Sequence, residues 1–131
     1  MPPTPEDLAK AGAEAAHQTA LFCWAALPDI RQRFPELEMM FHIPNGGSRN
    51  KIEAGHLKAQ GVKPGVPDIF LPIPRATYHG FWIEMKVKKN QQSDEQKIWE
   101  HNLAAKGYAI AVARSWIEAR DFLIYYLELG K

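Results

Sequence analysis

Residues 65–87 decide the fold, and they read GVPDIFLPIPRATYHGFWIEMKV. Two apolar segments in this stretch, residues 68–73 and 78–87, predict two β-strands. Prolines close the end of the first strand, because proline cannot donate to a central β-ladder. We therefore expect the two strands to pair as a hairpin through the link at residues 74–80.

Charged residues interrupt these apolar strands at three positions. Asp68 opens the first strand directly after Pro67, and Glu84 and Lys86 lie two residues apart on the second. Side chains alternate between the two faces of a strand, so Glu84 and Lys86 share one face. If the strands pair as neighbours, Asp68 approaches Glu84.

Two converging carboxylates form a site of hard oxygen ligands. Mg²⁺ suits such a site, because it binds a few carboxylates and keeps water and substrate phosphate at its other positions. The ammonium group of Lys86 can then hold an attacking water and stabilise charge on a phosphorane-like transition state.

Each of these features also has an ordinary interpretation. A Glu-x-Lys sequence on a strand is often a solvated face, and a Pro-Asp pair is often part of a turn. Their occurrence on consecutive strands, followed by Lys88 and Lys89, favours the metal site.

The N-terminal part of the chain predicts a helix, a first strand and a helical insert. Thr4 and Pro5 are a typical helix start, and helical spacing continues to Ala26. An irregular link at residues 28–37 leads to a strand at residues 39–43. Residues 49–60 are then expected to be helical and to end at Gly61.

The C-terminal part predicts a helix, a strand and a last helix. Ser93 and Gln96 form a capping box, and Ser115 and Glu118 form a second one. Between the two helices, residues 108–113 predict a strand buried on both faces. The order αβ(α)ββαβα indicates an α/β domain, with a mixed central sheet of about four strands flanked by helices. The length fits a single domain over residues 1–131.

Composition excludes several other classes of protein. One cysteine among 131 residues allows neither a disulfide framework nor a cysteine-based zinc cluster within the chain. The net charge is only +1, so a nucleic-acid partner requires local concentrations of positive charge. The sequence has no signal-peptide core and no apolar run long enough to cross a bilayer, so we expect a cytoplasmic protein without membrane contact.

The order of short motifs resembles a known family. Gly65-Val66-Pro67-Asp68 followed by Ile83-Glu84-Met85-Lys86 resembles the signature of the PD-(D/E)XK nuclease superfamily. The surrounding motifs resemble those of the VRR-NUC group, the virus-type replication-repair nucleases, over roughly residues 12–127. These motifs are Pro44-Asn45-Gly46-Gly47, residues 61–69, Ser93-Asp94-Glu95-Gln96 and Gly107-Tyr108.

The resemblance implies a restriction-endonuclease-like core and a metal-dependent endonuclease that hydrolyses phosphodiester bonds of DNA. Asp68 and Glu84 would bind Mg²⁺, for which Mn²⁺ substitutes, and the main-chain carbonyl of Met85 would be a further ligand. Lys86 would be the catalytic lysine.

Three other polar residues match site positions of the family. Glu14 and Gln18 match an acid and a glutamine on its first helix, and their spacing of four places them on one helix face. Glu14 would reach the metal directly or through water, or it is a plain surface acid. Gln96 either only caps its helix or also serves the site, and His42 is a possible neighbour of the site.

The resemblance also implies a homodimer that acts on branched DNA such as four-way junctions, encoded by a bacterium or a phage. No helix with regularly spaced Arg, Asn and Gln is available to read bases, so we expect little sequence specificity. Candidate DNA-binding residues flank the proposed site: Asn45, Arg49, Lys51, Lys58, Lys63, Lys88 and Lys89.

Two alternatives belong to other functional classes. A catalytically silent DNA-binding module of the same fold would not need an acid pair beside phosphates. A small-molecule phosphoesterase finds no support, because no glycine-rich loop that cradles phosphate precedes a helix.

Overall fold

The computed structural model describes residues 1–44 and 50–130. In this part of the chain, no helix is both long and apolar enough to cross a membrane. The elements in chain order are α1 Pro5–Ala9, α2 Glu14–Ala25, α3 Pro28–Arg33, a 3-10 helix Pro35–Met39, β1 Phe41–His42, α4 Lys51–Ala59, β2 Ile69–Leu71, β3 Phe81–Met85, α5 Asp94–Ala105, β4 Ala109–Ala113 and α6 Trp116–Leu127.

The four strands form one mixed sheet in the order β1-β2-β3-β4. β1 and β2 are antiparallel, as are β2 and β3, whereas β3 and β4 are parallel. A parallel pair needs a crossover connection, and α5 supplies it. The expected α/β class, with a mixed sheet of four strands between helices, is confirmed.

One face of the sheet packs against α2 and α6 to make the core. Ile69 and Ile83 are opposite one another in the β2–β3 register, and both are almost completely buried. Leu21 of α2 and Leu123 of α6 have no exposed surface and belong to the same cluster. Because side chains alternate, Glu84 points to the opposite face, where α5 begins.

The N-terminal helix is divided in two, so the expected single helix is wrong. α1 ends at Ala9, and Gly12 adopts a left-handed φ of +76° before α2 begins at Glu14. Glycine takes this conformation without the steric penalty of a Cβ. The helical spacing of apolar residues continues across the break because α1 and α2 pack on each other.

The link and the strands also differ in detail from expectation. Residues 28–33 form a helix in place of an irregular link, with Pro28 in its first turn. β1, β2 and β3 are also shorter than the apolar segments that predicted them, since backbone pairing stops before the last apolar residue of each segment.

β4 is less buried than its apolar sequence predicts. Four of its five residues are only partly buried, since β4 is the last strand of the sheet and has a partner on one side. The second capping box is also incomplete. The hydroxyl of Ser115 accepts a hydrogen bond from the N–H of Glu118. The carboxylate of Glu118, however, accepts from the N–H of Arg114 and not from that of Ser115.

Buried Arg75 ties the β2–β3 connection to the end of α6. Its guanidinium is 7% exposed and pairs with the carboxylate of Glu36. It also donates to the carbonyl of Leu127 at 3.1 Å and to that of Pro74 at 2.9 Å. Three groups are thus held by one side chain.

We predict that Arg75→Ala lowers the free energy of unfolding by about 3 kcal/mol, because it leaves Glu36 without its partner in a partly buried position. Chemical denaturation measures the change. Arg33→Ala is the matched control: its ion pair with Glu128 joins side chains that are 60% and 54% exposed. Such a pair contributes less than about 1 kcal/mol. Equal losses in the two variants would contradict the role of Arg75.

Candidate metal centre

The pairing of β2 with β3 brings two acids together. Ile69 lies opposite Ile83 in antiparallel register, so Asp68, one residue earlier, comes beside Glu84, one residue later. Oδ2 of Asp68 accepts a hydrogen bond from the main-chain N–H of Met85 at 3.0 Å. The expected convergence of the two carboxyl groups is therefore present.

Glu84 is the more deeply buried acid, with 3% of its surface exposed. Its Oε1 accepts a hydrogen bond from the side-chain amide of Gln96 at 2.8 Å, whereas its buried Oε2 has no partner among the described residues. Burial, and next the negative charge of Asp68, raise the pKa of Glu84 from an ordinary 4.5 to about 8. The positive charge of Lys86 acts in the opposite direction.

Asp68 also favours a proton more than a free aspartate does. Burial is the main cause of its raised pKa, and the negative charge of Glu14 adds to it. The hydrogen bond from Met85 and the charge of His42 oppose the shift. A buried and a half-buried carboxyl group in contact do not readily both carry a negative charge unless a cation lies between them.

Lys86 follows Glu84 on the same face of β3. Its main-chain N–H donates to the carbonyl of Ala113 at 2.9 Å, which continues the β3–β4 pairing by one residue. Its side chain is half-buried. Within residues 1–44 and 50–130, the ammonium makes no ion pair closer than 4.0 Å, although its charge acts on Glu84.

Gln96 caps α5 and also contacts Glu84, and its role in a reaction stays a prediction. Its side-chain Oε1 accepts from the N–H of Ser93 at 2.8 Å, which completes the capping box of α5. The amide nitrogen of the same side chain donates to Glu84. One side chain therefore starts the helix and contacts the acid pair.

His42 lies beside the acids, as the sequence suggested. Its Nδ1 is 2.9 Å from the carbonyl oxygen of Asp68. The carbonyl also accepts from the N–H of Ile43 at 2.7 Å. β1 thus holds the main chain of Asp68 at the sheet edge.

The two candidates on α2 differ. The charge of Glu14 raises the pKa of both Asp68 and Glu84, so its carboxylate lies within electrostatic reach. Its Oε1 accepts from the amide of Asn90 at 3.2 Å. Gln18, one turn later, makes no side-chain hydrogen bond to the acids in the described part of the chain, and its role stays a prediction.

The exposed lysines of the candidate DNA surface are spread over several elements. Lys51 and Lys58 lie on α4, none of whose residues is buried. Lys63 precedes β2, while Lys88 and Lys89 follow β3. The predictions for Asn45 and Arg49, and the Asn45-Gly46-Gly47 motif, lie outside the described residues.

Several contacts near the acids were missed at the sequence level. Gly65, with φ of +87°, packs against α5 so closely that an added Cβ would lie 2.8 Å from the backbone nitrogen of Gln96. The indole N–H of Trp99 donates to the carbonyl of Pro64 at 3.1 Å. Glycine three residues before Asp68 was a usable signal for the first contact. The contacts of Asn90 and Arg114 join distant segments and have no local signal.

The donors present fit a divalent cation with oxygen ligands. Two carboxyl groups meet, and one carries a buried oxygen without a partner. Among the described residues, no group of three or more His, Cys, Asp or Glu side chains lies close enough to hold a metal. Mg²⁺ is an ion that binds oxygen donors, takes few protein ligands and retains water.

The structure is an α/β domain in which a pair of acids and a lysine lie on adjoining strands of a mixed sheet. The family model described as the VRR-NUC domain matches residues 8–116, so the chain belongs to the VRR-NUC family. Domains of this family are generally nucleases, and the chain is accordingly a nuclease-type DNA-processing domain.

Comparison with solved structures agrees with the family. A structure described as a VRR_NUC domain protein is similar to this chain, with a TM-score of 0.76 and 32% sequence identity. The match covers 90% of this chain and 90% of that chain. No curated protein matches the sequence.

We predict that Glu84→Gln stabilises the metal-free protein at neutral and alkaline pH. The folded protein holds the Glu84 proton until about pH 8, whereas the unfolded chain releases it near 4.5. The contribution of the Glu84 proton to the stability of the unsubstituted protein is therefore fully present below pH 4.5 and is lost between 4.5 and 8. Glutamine has no proton to lose, so its thermal midpoint should exceed that of the unsubstituted protein by about 4 °C or more at pH 8.

Thermal unfolding in EDTA from pH 5 to pH 9 measures this difference. Glu38→Gln is the matched control, because Glu38 is an exposed acid of the 3-10 helix. The difference in thermal midpoint between this variant and the unsubstituted protein should not depend on pH. A constant difference between Glu84→Gln and the unsubstituted protein across this range would contradict the prediction.

Proposed function

We propose that this chain is a Mg²⁺-dependent endonuclease that hydrolyses phosphodiester bonds of DNA. The observation that carries the proposal is the contact between Asp68 and Glu84, with an unpartnered buried oxygen and the lysine of β3 beside it. Without a cation, placing half-buried Asp68 beside buried Glu84 is unfavourable, since like charges in contact destabilise the fold.

The residues divide the work of holding a cation and a phosphate. Asp68 and Glu84 would bind the metal, with the carbonyl of Met85 as a further ligand. Gln96 and the N–H of Met85 fix the two carboxylates, so little reorganisation is needed when the cation binds. When bound, the cation withdraws charge from the scissile phosphate and makes water a stronger nucleophile.

Lys86 supplies the positive charge beside the acids. Its ammonium would orient the attacking water and stabilise the negative charge that develops on the phosphate. The absence of a close ion pair within residues 1–44 and 50–130 leaves the ammonium available for this role.

The exposed lysines at positions 51, 58, 63, 88 and 89 would neutralise DNA phosphates on both sides of the acids. Contacts to the backbone carry no base information, so we propose recognition of DNA shape with little sequence specificity. The cytoplasmic location and the bacterial or phage origin stay predictions.

We predict that purified protein cleaves plasmid DNA with Mg²⁺ or Mn²⁺ and not in EDTA. Asp68→Ala removes a ligand, and Lys86→Ala removes the donor to developing charge. Each should reduce the cleavage rate by about 100-fold or more. Gel electrophoresis of the products over time gives the rates.

Lys106→Ala is the matched control for the lysine variant. Lys106 is exposed at the C-terminal end of α5 and should be dispensable. DNA binding in gel shifts without metal-dependent cleavage would instead support the silent DNA-binding module. Turnover of a simple phosphodiester but not of DNA would support the phosphoesterase.

We also propose that the nuclease is a homodimer with a preference for branched DNA such as four-way junctions. One site cuts one strand at a time, and two sites related by a two-fold axis can cut two opposed strands.

On a four-way junction we expect paired cuts at symmetric positions, at a rate exceeding that on linear duplex of the same sequence. Light scattering after gel filtration should give the mass of two chains. Cleavage by a species with the mass of one chain, or equal rates on the two substrates, would contradict this part of the proposal.

A further inference from the structure

A loop after β3 connects the acid pair with the start of α2. This loop comprises residues 86–90, and it begins with the lysine of the candidate site. The side-chain nitrogen of Asn90 donates to Oε1 of Glu14 at 3.2 Å. The two residues are 76 positions apart in the sequence, so the hydrogen bond joins two otherwise separate segments.

The loop is itself fixed by Arg114, which follows β4. Nη1 of Arg114 donates to the carbonyl of Lys86 at 3.2 Å and also to the carbonyl of Asn90. Both ends of the loop are therefore held by one guanidinium. Lys88, between them, adopts a left-handed φ of +58°, a conformation that costs energy for a residue with a Cβ and persists only where neighbours enforce it.

A second contact connects the same two segments. The side chain of Lys88 runs beside Gly12, where an added Cβ would lie 3.6 Å from Cε of the lysine. The loop thus contacts Gly12, in the link between α1 and α2, and Glu14, the first residue of α2.

The negative charge of Glu14 lies close enough to Asp68 and Glu84 to affect them. It raises the pKa of both Asp68 and Glu84, yet it does not join them in a group of three metal-binding side chains within the described residues. Its position is set by an amide, which donates a hydrogen bond without neutralising the carboxylate. A lysine at position 90 would form an ion pair and cancel that charge.

We propose that Asn90 is a positioning residue that orients the Glu14 carboxylate toward the cation held by Asp68 and Glu84. The inference rests on the proposed function, since it concerns the same site. Groups that orient metal-binding or water-binding residues typically change metal affinity by about 10- to 100-fold when removed.

A purely structural role for Asn90 makes a different prediction. The hydrogen bond to Glu14 is exposed, and such a bond adds little to stability in water. If Asn90 only attached the loop to α2, its effect on metal affinity would be independent of whether residue 14 is an acid. If Asn90 acts through Glu14, its effect should vanish once that acid is gone.

The experiment is a double-substitution cycle on Mn²⁺ affinity, measured by calorimetry and by electron paramagnetic resonance of free Mn²⁺. The proteins are the unsubstituted chain, Asn90→Ala, Glu14→Gln and the double variant. Asn90→Leu is included because it keeps the number and branching of the side-chain heavy atoms of asparagine without its donor. Asn102→Ala, an exposed asparagine of α5, is the matched control.

We expect Asn90→Ala and Asn90→Leu each to weaken Mn²⁺ binding by about 10-fold. The double variant should bind no more weakly than Glu14→Gln alone. Asn102→Ala should bind like the unsubstituted protein. In EDTA, the thermal midpoints of the Asn90 variants should stay within about 2 °C of the unsubstituted chain, a shift expected for a change well under 1 kcal/mol.

Two results would overturn the inference alone: affinities of the Asn90 variants within twofold of the unsubstituted protein, or losses that multiply in the double variant. Retained affinity in Asn90→Leu with lost affinity in Asn90→Ala would also overturn it, since packing and not the donor would then matter. Failure of the unsubstituted protein to bind Mn²⁺ would overturn the proposed function, and this inference with it.

Discussion

The contact between the buried carboxyl group of Glu84 and the half-buried carboxyl group of Asp68 is the constraint on which the rest of this structure depends. Asp68 and Glu84 are brought together by the register of β2 and β3, in which Ile69 lies opposite Ile83. Bringing like charges out of water is unfavourable. The surrounding fold supplies hydrogen-bond donors to both acids. The N–H of Met85 donates to Asp68, and the side-chain amide of Gln96 donates to Glu84.

Those donors are in turn held by packing between distant parts of the chain. The loop that precedes Asp68 lies against the first turn of α5, with Gly65 in contact with the backbone there and Pro64 bonded to Trp99. The same helix turn carries Gln96. The depth at which α5 sits on the sheet and the entry of the chain into β2 are consequently set by one interface, so the two acids and their donors form a single unit.

Sequence reasoning succeeded where the information is local. Strand alternation placed Glu84 and Lys86 on one face, and the hairpin placed Asp68 beside Glu84. The capping box at Ser93 was visible from the spacing of two residues. The division of the N-terminal helix at Gly12 was missed because apolar residues keep helical spacing across the break. The half-exposed state of β4 was missed because the sequence does not say which strand ends the sheet.

Long-range contacts were beyond the sequence. Arg114 reaches two carbonyls in the loop after β3, and its partners there are main-chain oxygens that any residue type would supply. Asn90 and Glu14 are separated by most of the domain. Such pairs depend on how the strands are ordered, and one sequence carries no signal for them.

The side chain of Gln96 makes two hydrogen bonds at once, and this limits the substitutions that the start of α5 can accept. With its oxygen committed to the N–H of Ser93, the amide cannot rotate, and only its nitrogen can face Glu84. That N–H belongs to the main chain, so a change of the Ser93 side chain leaves it in place, and only proline at position 93 would remove it and free the amide to turn its oxygen toward an acid. The start of α5 and the contact with Glu84 therefore depend on the same side chain, that of Gln96.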